Sequence, residues 1–181
     1  MPAHTLAAVE HPSQKTERQW RTMQNLSLNG SWQLTGGGFN CRGSVPGSVY
    51  SILLENNLID DPFYRDNELA AFDLMEQDYT FTRQFDVGED LLGCKQVLLH
   101  CDGLDTICTL RLNGREIGTV NNMHRVWEFD VTADLRAGEN TLEIHFTSPN
   151  RWIREAFEKD PIGGSWDAQD GFPHLRKAHC M

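Results

Sequence analysis

The chain has 181 residues, a formal net charge of −10 at neutral pH and a hydrophobic content of 39%. This length predicts one domain, or one domain with tails, that buries a core without disulfides or a structural metal. The acidic surface repels phosphate, which disfavours nucleic acids and anionic membranes as partners. The sequence contains no apolar run long enough to cross a bilayer.

Residues 1–24 are polar and show no periodicity, so we expect a flexible N-terminal tail. The tail lacks the basic region and long apolar run of a secretory signal peptide, which indicates a cytoplasmic protein. The five cysteines agree with this, because their number is odd and none has the Cys-x2–4-Cys spacing of a zinc knuckle. We therefore expect reduced thiols, mostly in the core, with neither a metal site nor a cofactor.

Regular structure is predicted to begin at Leu28 with a strand, since Trp32 and Leu34 alternate with polar residues. The glycines at 36–38 then form a flexible turn. A helix is predicted next, because three apolar residues share one of its faces: Val49, Ile52 and Leu53. Ser48 precedes these residues and is the predicted N-cap.

The residues after Asp78 are dominated by strand patterns. Strands are predicted within 79–87, 95–101, 108–112, 127–131 and 141–147. In the first of them, Arg83 places a charge on the apolar side. The run from Lys95 to Cys101 is continuously apolar after its first residues, which predicts a strand covered on both faces.

Turns and short connections then decide the fold class. The Asn113-Gly114 pair is typical of a two-residue hairpin turn, and the connections are too short for crossover helices. The pattern therefore predicts an all-β protein, an antiparallel β-sandwich with a few short helices, over residues 25–160. A last helix is predicted after Ser148-Pro149, and residues 161–181 form an irregular C-terminal segment.

Motifs for independent catalysis are missing. The 26 carboxylates make an accidental acidic pair almost certain, so their number does not indicate a glycosidase dyad. The sequence has neither a Gly-x-Ser-x-Gly elbow nor a His-Glu-x-x-His motif, so we expect neither a serine triad nor a zincin site. We interpret His145 as a solvated residue and His100 as a buried, hydrogen-bonded one.

The best candidate for a binding site is the loop at residues 61–68, Asp-Pro-Phe-Tyr-Arg-Asp-Asn-Glu. It combines two aromatic rings with a guanidinium and several acceptors, a set that suits sugars. Its candidate pocket residues are Arg65, Asp66, Asn67 and Glu68. The alternative is a structural loop in which Asp66 or Glu68 pairs with Arg65 and caps a short helix at 69–74. A weaker candidate is the pair Trp166 and Asp167, which packing against the last helix explains as well.

Several stretches form an ordered set of motifs along the chain: Leu28–Trp32, Val45–Val49, Asp61–Glu68, Gly103–Thr106, Leu112–Gly114, Asn121–Arg125, Phe129–Thr132 and Arg176–Ala178. Together they resemble the N-terminal domain of the β-mannosidases of glycoside hydrolase family 2. The stretches at 112–114 and 129–132 occur across that family, including β-galactosidases and β-glucuronidases. Those at 61–68 and 176–178 favour the β-mannosidases.

The resemblance implies a jelly-roll sandwich, similar to galactose-binding domains, within a multidomain retaining enzyme that hydrolyses terminal non-reducing β-mannose. The two catalytic glutamates of the family lie on a later (β/α)8 barrel, which by itself needs about 250 residues. We therefore expect no catalytic residue in this chain. The implied partners are a β-mannoside and the catalytic barrel, which this domain would support while residues 65–68 wall the pocket.

The family continues into a Gly-Trp-Asp-Trp-Gly-Pro segment where this chain has Met181, so we expect a fragment or truncated product without hydrolase activity of its own. Two alternatives stay open at this point. One is a free-standing carbohydrate-binding module, since a fold alone does not define a function. The other is a purely structural interaction domain with an apolar docking patch.

Overall fold

The structure is a computed structural model that describes residues 4–8 and 24–161. These residues form an antiparallel β-sandwich, which confirms the predicted fold class. The strands are β1 (His4–Ala8), β2 (Asn25–Ser27), β3 (Gly30–Gly36), β4 (Phe39–Val45), β5 (Tyr79–Val87), β6 (Val97–Cys101), β7 (Cys108–Leu112), β8 (Arg115–Val120), β9 (Trp127–Asp130) and β10 (Gly138–Phe146). The helices are α1 (Val49–Glu55), α2 (Asn67–Leu74), α3 (Glu89–Leu92) and α4 (Pro149–Lys159).

The strands form two sheets with the hydrophobic core between them. The smaller sheet has the strand order β2-β1-β6-β9, and the larger has the order β4-β3-β5-β10-β7-β8. In the larger sheet β10 pairs with β5 from Gly138 opposite Val87 to Phe146 opposite Tyr79. Both sheets contribute fully buried side chains to one cluster, among them Leu34, Leu99, Leu110 and Leu142. Burial of this apolar surface is the main force that holds the layers together.

Local sequence signals explain where the elements start and turn. Asn113 and Gly114 have φ angles of 52° and 83°, so the β7–β8 hairpin has the predicted turn. At α1, the Ser51 N–H donates to Ser48 Oγ at 3.1 Å and the Ser48 N–H donates to Ser51 Oγ at 2.9 Å. This reciprocal cap confirms Ser48 as the N-cap. The last helix begins as predicted, with Pro149 in its first turn.

The first strand corrects the prediction of a flexible tail over residues 1–24. β1 lies between β2 and β6, with Leu6 opposite Leu26 on one side and Leu99 on the other. Its five residues, His-Thr-Leu-Ala-Ala, do not alternate between apolar and polar, so the sequence shows no strand pattern there. Ladder hydrogen bonds on both sides place it in the sheet, so the sandwich includes residues before residue 25.

The strand β6 differs from its prediction in length and in burial. It starts at Val97 rather than Lys95, and its side chains alternate between buried and half-buried. Val97, Leu99 and Cys101 face the core, whereas Leu98 and His100 lie on the outer side. An antiparallel sheet that covers a core on one side leaves its other face to solvent, so β6 is covered on only one face.

The cysteines in the described residues are free thiols: Cys41, Cys94, Cys101 and Cys108. Burial raises the pKa of the Cys101 and Cys108 thiols to about 12, so these two act as small apolar core residues. Cys180 lies outside the described residues. No helix in the described ranges has the length and apolar character that a membrane span needs.

Candidate functional site

The candidate loop leads directly into α2, and Asp61 fixes its backbone. The Phe63 N–H donates to Asp61 Oδ1 at 2.9 Å, and the Tyr64 N–H donates to the Asp61 carbonyl at 3.0 Å. The same carbonyl accepts a hydrogen bond from Asn67 Nδ2 at 2.9 Å. The loop is therefore preorganised, and Asn67 contributes to its shape as well as to its surface.

Arg65 sits at the tip of this loop in an unusual backbone conformation, with a φ of 56°. Its guanidinium carbon lies 5.2 Å from the centroid of the Tyr64 ring, a cation–π contact. In the described part of the chain Arg65 forms no salt bridge with Asp66 or Glu68. The guanidinium thus lies over an aromatic ring rather than against a carboxylate.

The structural alternative for this loop is wrong in its details. Asp66 occupies the N-cap position of α2, but its side chain makes no capping hydrogen bond. The helix begins at Asn67 rather than at Leu69. Since Arg65 also lacks the expected ion pair, the described contacts leave the carboxylates of Asp66 and Glu68 at the surface.

Four large apolar side chains of the loop and of α2 are also exposed, and together they define a surface. We call it the α2 face and define it by four side chains with their exposed fractions: Phe63 (97%), Tyr64 (59%), Leu69 (63%) and Phe72 (63%). None of the side chains of α2 is buried. Large apolar side chains that stay exposed are common where a ligand or another protein surface binds.

Two hydrogen bonds and one apolar contact hold α2 on the sandwich. The Tyr50 hydroxyl of α1 donates to the Ala71 carbonyl at 2.8 Å, and the Ser148 hydroxyl donates to the Met75 carbonyl at 2.6 Å. Leu74 packs partly buried against the core. The helix is therefore fixed along its inner side and presents the α2 face outward.

The groups on this loop suit the binding of a sugar better than the catalysis of a reaction. Exposed aromatic rings can contact the C–H faces of a pyranose, while a guanidinium and carboxylates can bind its hydroxyls. The weaker candidates, Trp166 and Asp167, lie outside the described residues.

A second polar cluster, which the sequence analysis missed, joins α4 to the start of β5. Arg151 Nη2 lies 2.6 Å from each carboxylate oxygen of Asp78, and the Ser148 N–H donates to Asp78 Oδ1 at 2.7 Å. Partial burial acts to raise the pKa of Asp78, but these donors and the nearby His145 hold it below its usual range. In the sequence, the one signal for this cluster was the spacing of Arg151 and Arg154 along the polar face of the predicted helix.

Glu76 belongs to the same cluster. Arg154 donates to both of its carboxylate oxygens, and Asn150 Nδ2 donates to Glu76 Oε1 at 2.9 Å. The hydrogen bond from Arg154 lowers the pKa of Glu76, against the opposing effect of partial burial. These contacts position α4 and are structural in nature.

The environments of His145 and His100 differ in part from those predicted. His145 Nδ1 lies 2.9 Å from Thr80 Oγ1, so His145 is hydrogen-bonded and not simply solvated. His100 is hydrogen-bonded as predicted, to Glu128 at 3.1 Å and to Asp102 at 2.9 Å, but its side chain is 31% exposed. The Glu128 and Asp102 carboxylates raise the pKa of His100. Both roles are structural.

A β-sandwich with an exposed loop of aromatic and carboxylate residues has the architecture of a galactose-binding-like domain. The family model described as "Glycosyl hydrolase 2 galactose-binding domain-like" matches residues 19–181. The chain belongs to this family.

The relatives narrow this family membership. The chain is 31% identical to a β-mannosidase of Bos taurus over 166 residues, which is 86% of this chain and 19% of that protein. It is 33% identical to a β-mannosidase of Mus musculus over 168 residues, with the same two coverages. The chain thus spans about a fifth of the length of these curated relatives.

Solved structures also match this chain over only a small part of their own length. The crystal structure of a β-D-mannosidase from Dictyoglomus thermophilum matches with a TM-score of 0.74 and 35% identity, over 78% of this chain and 18% of that one. A β-glucuronidase of Bifidobacterium dentium matches with a TM-score of 0.50 at 23% identity, over 66% of this chain and 19% of that one, and shows the shared fold alone.

Proposed function

We propose that this chain is the non-catalytic N-terminal domain of a β-mannosidase-type retaining glycoside hydrolase. The reaction of the whole protein would be the hydrolysis of terminal non-reducing β-D-mannose residues. One observation carries this proposal: the similarity to β-mannosidases extends over 86% of this chain but only 19% of the Bos taurus relative. A catalytic (β/α)8 barrel needs about 250 residues, which a 181-residue chain folded as a β-sandwich cannot also supply.

The domain would support the catalytic barrel and wall the substrate pocket with the loop that precedes α2. The polar candidates are Arg65, Asp66, Asn67 and Glu68. Arg65 and the two carboxylates project into solvent beside an exposed tyrosine ring, where they can reach sugar hydroxyls. Asn67 would act by holding the loop through its 2.9 Å hydrogen bond to the Asp61 carbonyl.

This role is testable in a β-mannosidase that carries the chain as its N-terminal domain. Arg65→Ala should lower kcat/KM for a β-mannoside by about tenfold, the effect of losing one charge-assisted hydrogen bond. The matched control is Arg42→Ala, because Arg42 is also exposed but lies on β4. If both variants keep the parent kcat/KM, the loop does not wall the pocket.

The second candidate function is a free-standing carbohydrate-binding module. The 97% exposure of Phe63, next to the half-exposed Tyr64, favours it, because aromatic platforms bind sugars without catalysis. Calorimetric titration of the 181-residue chain with mannose and manno-oligosaccharides separates the two functions. Saturable binding that Arg65→Ala or Asn67→Ala abolishes supports the module. The scaffold function predicts no saturable binding by the chain alone.

The proposal includes a cytoplasmic location and no nucleic-acid partner. The free thiols at Cys41 and Cys94 support a reducing compartment, because both are partly accessible to solvent. The net charge of −10 opposes binding to polyphosphates. Fractionation of the producing cells tests the location, and recovery in the medium or in a sealed secretory compartment would contradict it.

A further inference from the structure

The exposed apolar side chains of this domain are concentrated in one short stretch of sequence. In the part of the chain that the structure describes, the exposed large apolar side chains are Leu58, Phe63, Tyr64, Leu69, Phe72, Val126 and Trp152. Five of these seven lie between residues 58 and 72. Single exposed apolar residues are normal on a protein surface, but a concentration of them is common where another protein surface docks.

The composition of α2 also indicates that it is covered on two sides. Five of its eight residues are apolar, and none of the eight is buried. Leu74 packs partly buried against the core, whereas Leu69 and Phe72, three positions apart on another face, are each 63% exposed. A helix that is apolar all round is normally buried, and a helix of only eight residues needs such packing to be stable. The outward side of α2 thus has the composition of an interface.

The electrostatics of this stretch restrict what can cover it. Residues 60–73 contain one guanidinium and five carboxylates: Arg65, Asp60, Asp61, Asp66, Glu68 and Asp73. All six groups are exposed, and no salt bridge among the described residues involves any of them. A second copy of the chain would bring two such acidic stretches together, so repulsion opposes it. The complementary surface must offer apolar side chains together with positive charge.

Building on the proposed function, on which this inference rests, we propose that the catalytic part of the same polypeptide docks on the α2 face through an apolar and basic surface. The match covers 19% of the Bos taurus relative, so about four fifths of that protein lies outside it and includes ample surface for this contact. Leu69 and Phe72 supply the apolar contacts, and the carboxylates of Asp60 and Asp73 pair with lysine or arginine. The groups at 65–68 stay available to the substrate pocket.

Hydrogen–deuterium exchange of the α2 amides tests the docking. It is measured in the 181-residue chain and in a protein in which the same chain precedes a catalytic barrel. We expect the α2 amides to exchange at least about tenfold more slowly in the longer protein, because docking opposes the local opening of the helix. Exchange in the β5–β10 ladder reports that the sandwich is folded in both proteins.

One pair of variants tests the apolar contact. Phe72→Glu should make α2 exchange about tenfold faster in the longer protein and should have little effect in the 181-residue chain, which separates docking from a local effect on the helix. The matched control is Val126→Glu, because Val126 is also apolar and 53% exposed but precedes β9. Val126→Glu should leave α2 exchange unchanged in both proteins.

A second pair of variants tests the charge of the partner surface. Asp60→Lys with Asp73→Lys should also speed α2 exchange in the longer protein, since cations would then face cations. The control, Asp86→Lys with Glu89→Lys, makes the same change in net charge at two exposed positions outside the α2 face. Equal effects of the two double variants would overturn the assignment of a basic partner surface.

Two further results would overturn the docking itself. One is equal α2 exchange in the two proteins while the longer protein hydrolyses a β-mannoside, which leaves the proposed function intact. The other is slow α2 exchange in the 181-residue chain that increases with concentration together with dimerisation in sedimentation, which assigns the face to a second copy. Slow, Phe72-dependent exchange in a folded longer protein that lacks hydrolase activity would support the docking and contradict the proposed function.

Discussion

Asp78→Asn should destabilise the domain by loosening the start of α4. The Asp78 carboxylate binds the Arg151 guanidinium through both oxygens at 2.6 Å and accepts the Ser148 N–H at 2.7 Å. An asparagine keeps one acceptor but places an amide N–H₂ group against the guanidinium. The change therefore removes one charge-assisted hydrogen bond and the ionic attraction, while the volume of the side chain stays the same.

The expected loss of stability follows from how far the side chains of the ion pair are buried. The side chains of Asp78 and Arg151 are 29% and 43% exposed, so the pair lies between a surface salt bridge and a buried one. Surface pairs contribute up to about 1 kcal/mol, and breaking a buried pair costs about 3–5 kcal/mol. We expect a loss of about 2 kcal/mol in the free energy of unfolding, which lowers Tm by roughly 4–8 °C for a domain of this size.

Thermal and urea unfolding followed by tryptophan fluorescence measure this loss at neutral pH. Asp86→Asn on β5 is the matched control, because Asp86 is exposed and lies opposite Glu139, so its change should stay within about 0.5 kcal/mol. The pKa of Asp78 is lowered in the folded state, so its stabilisation is present above the unfolded value of about 3.9. The difference between parent and Asp78→Asn should therefore shrink as pH falls through the folded pKa. Equal stability of Asp78→Asn and Asp86→Asn at pH 7 would refute the reasoning.

Further predictions concern the smaller sheet, the core and the β3–β4 turn at Gly36. His100 has a raised pKa in the folded state. The stability that it contributes is therefore present below about pH 6.5 and is lost as pH rises through the folded pKa. The urea midpoint of the parent should fall over this range, and the midpoint of His100→Gln should not show that fall. Leu110→Ala should cost about 3 kcal/mol because Leu110 is fully buried, whereas Leu69→Ala at 63% exposure should cost under about 0.5 kcal/mol in the same urea titration. Gly36→Ala should cost more than Gly38→Ala, since a Cβ at Gly36 would lie 2.2 Å from the Asp78 carbonyl and one at Gly38 meets nothing within 4 Å. Equal unfolding midpoints for either pair of variants would contradict the packing described for that position.

Local signals made much of the fold predictable. The Ser48 cap and the Asn113-Gly114 turn depend on residues within a few positions of each other, so the sequence contains the whole signal. The strands β3, β5, β7, β9 and β10 show their alternation in the sequence. β1 was not predictable, because its five residues gain their structure from ladders with β2 and β6.

The candidate site was predictable in composition but not in geometry. The residue types at 61–68 indicated a sugar-binding loop, and sugar binding there stays a prediction; the structure shows Arg65, Asp66 and Glu68 exposed. The contact of Arg65 with Tyr64 depends on a φ of 56°, which no residue pattern specifies for an arginine. The Asp78–Arg151 pair joins residues 73 positions apart, so only the assembled fold brings them together.

The central claim is that this domain belongs to a β-mannosidase-type enzyme without carrying its catalytic groups. The most direct measurement is the hydrolysis of a chromogenic β-mannoside by the purified 181-residue chain, beside a protein in which the same chain precedes a catalytic barrel. We predict no turnover by the chain alone and β-mannoside hydrolysis by the longer protein. Turnover by the chain that persists at constant specific activity through successive purification steps would contradict the account.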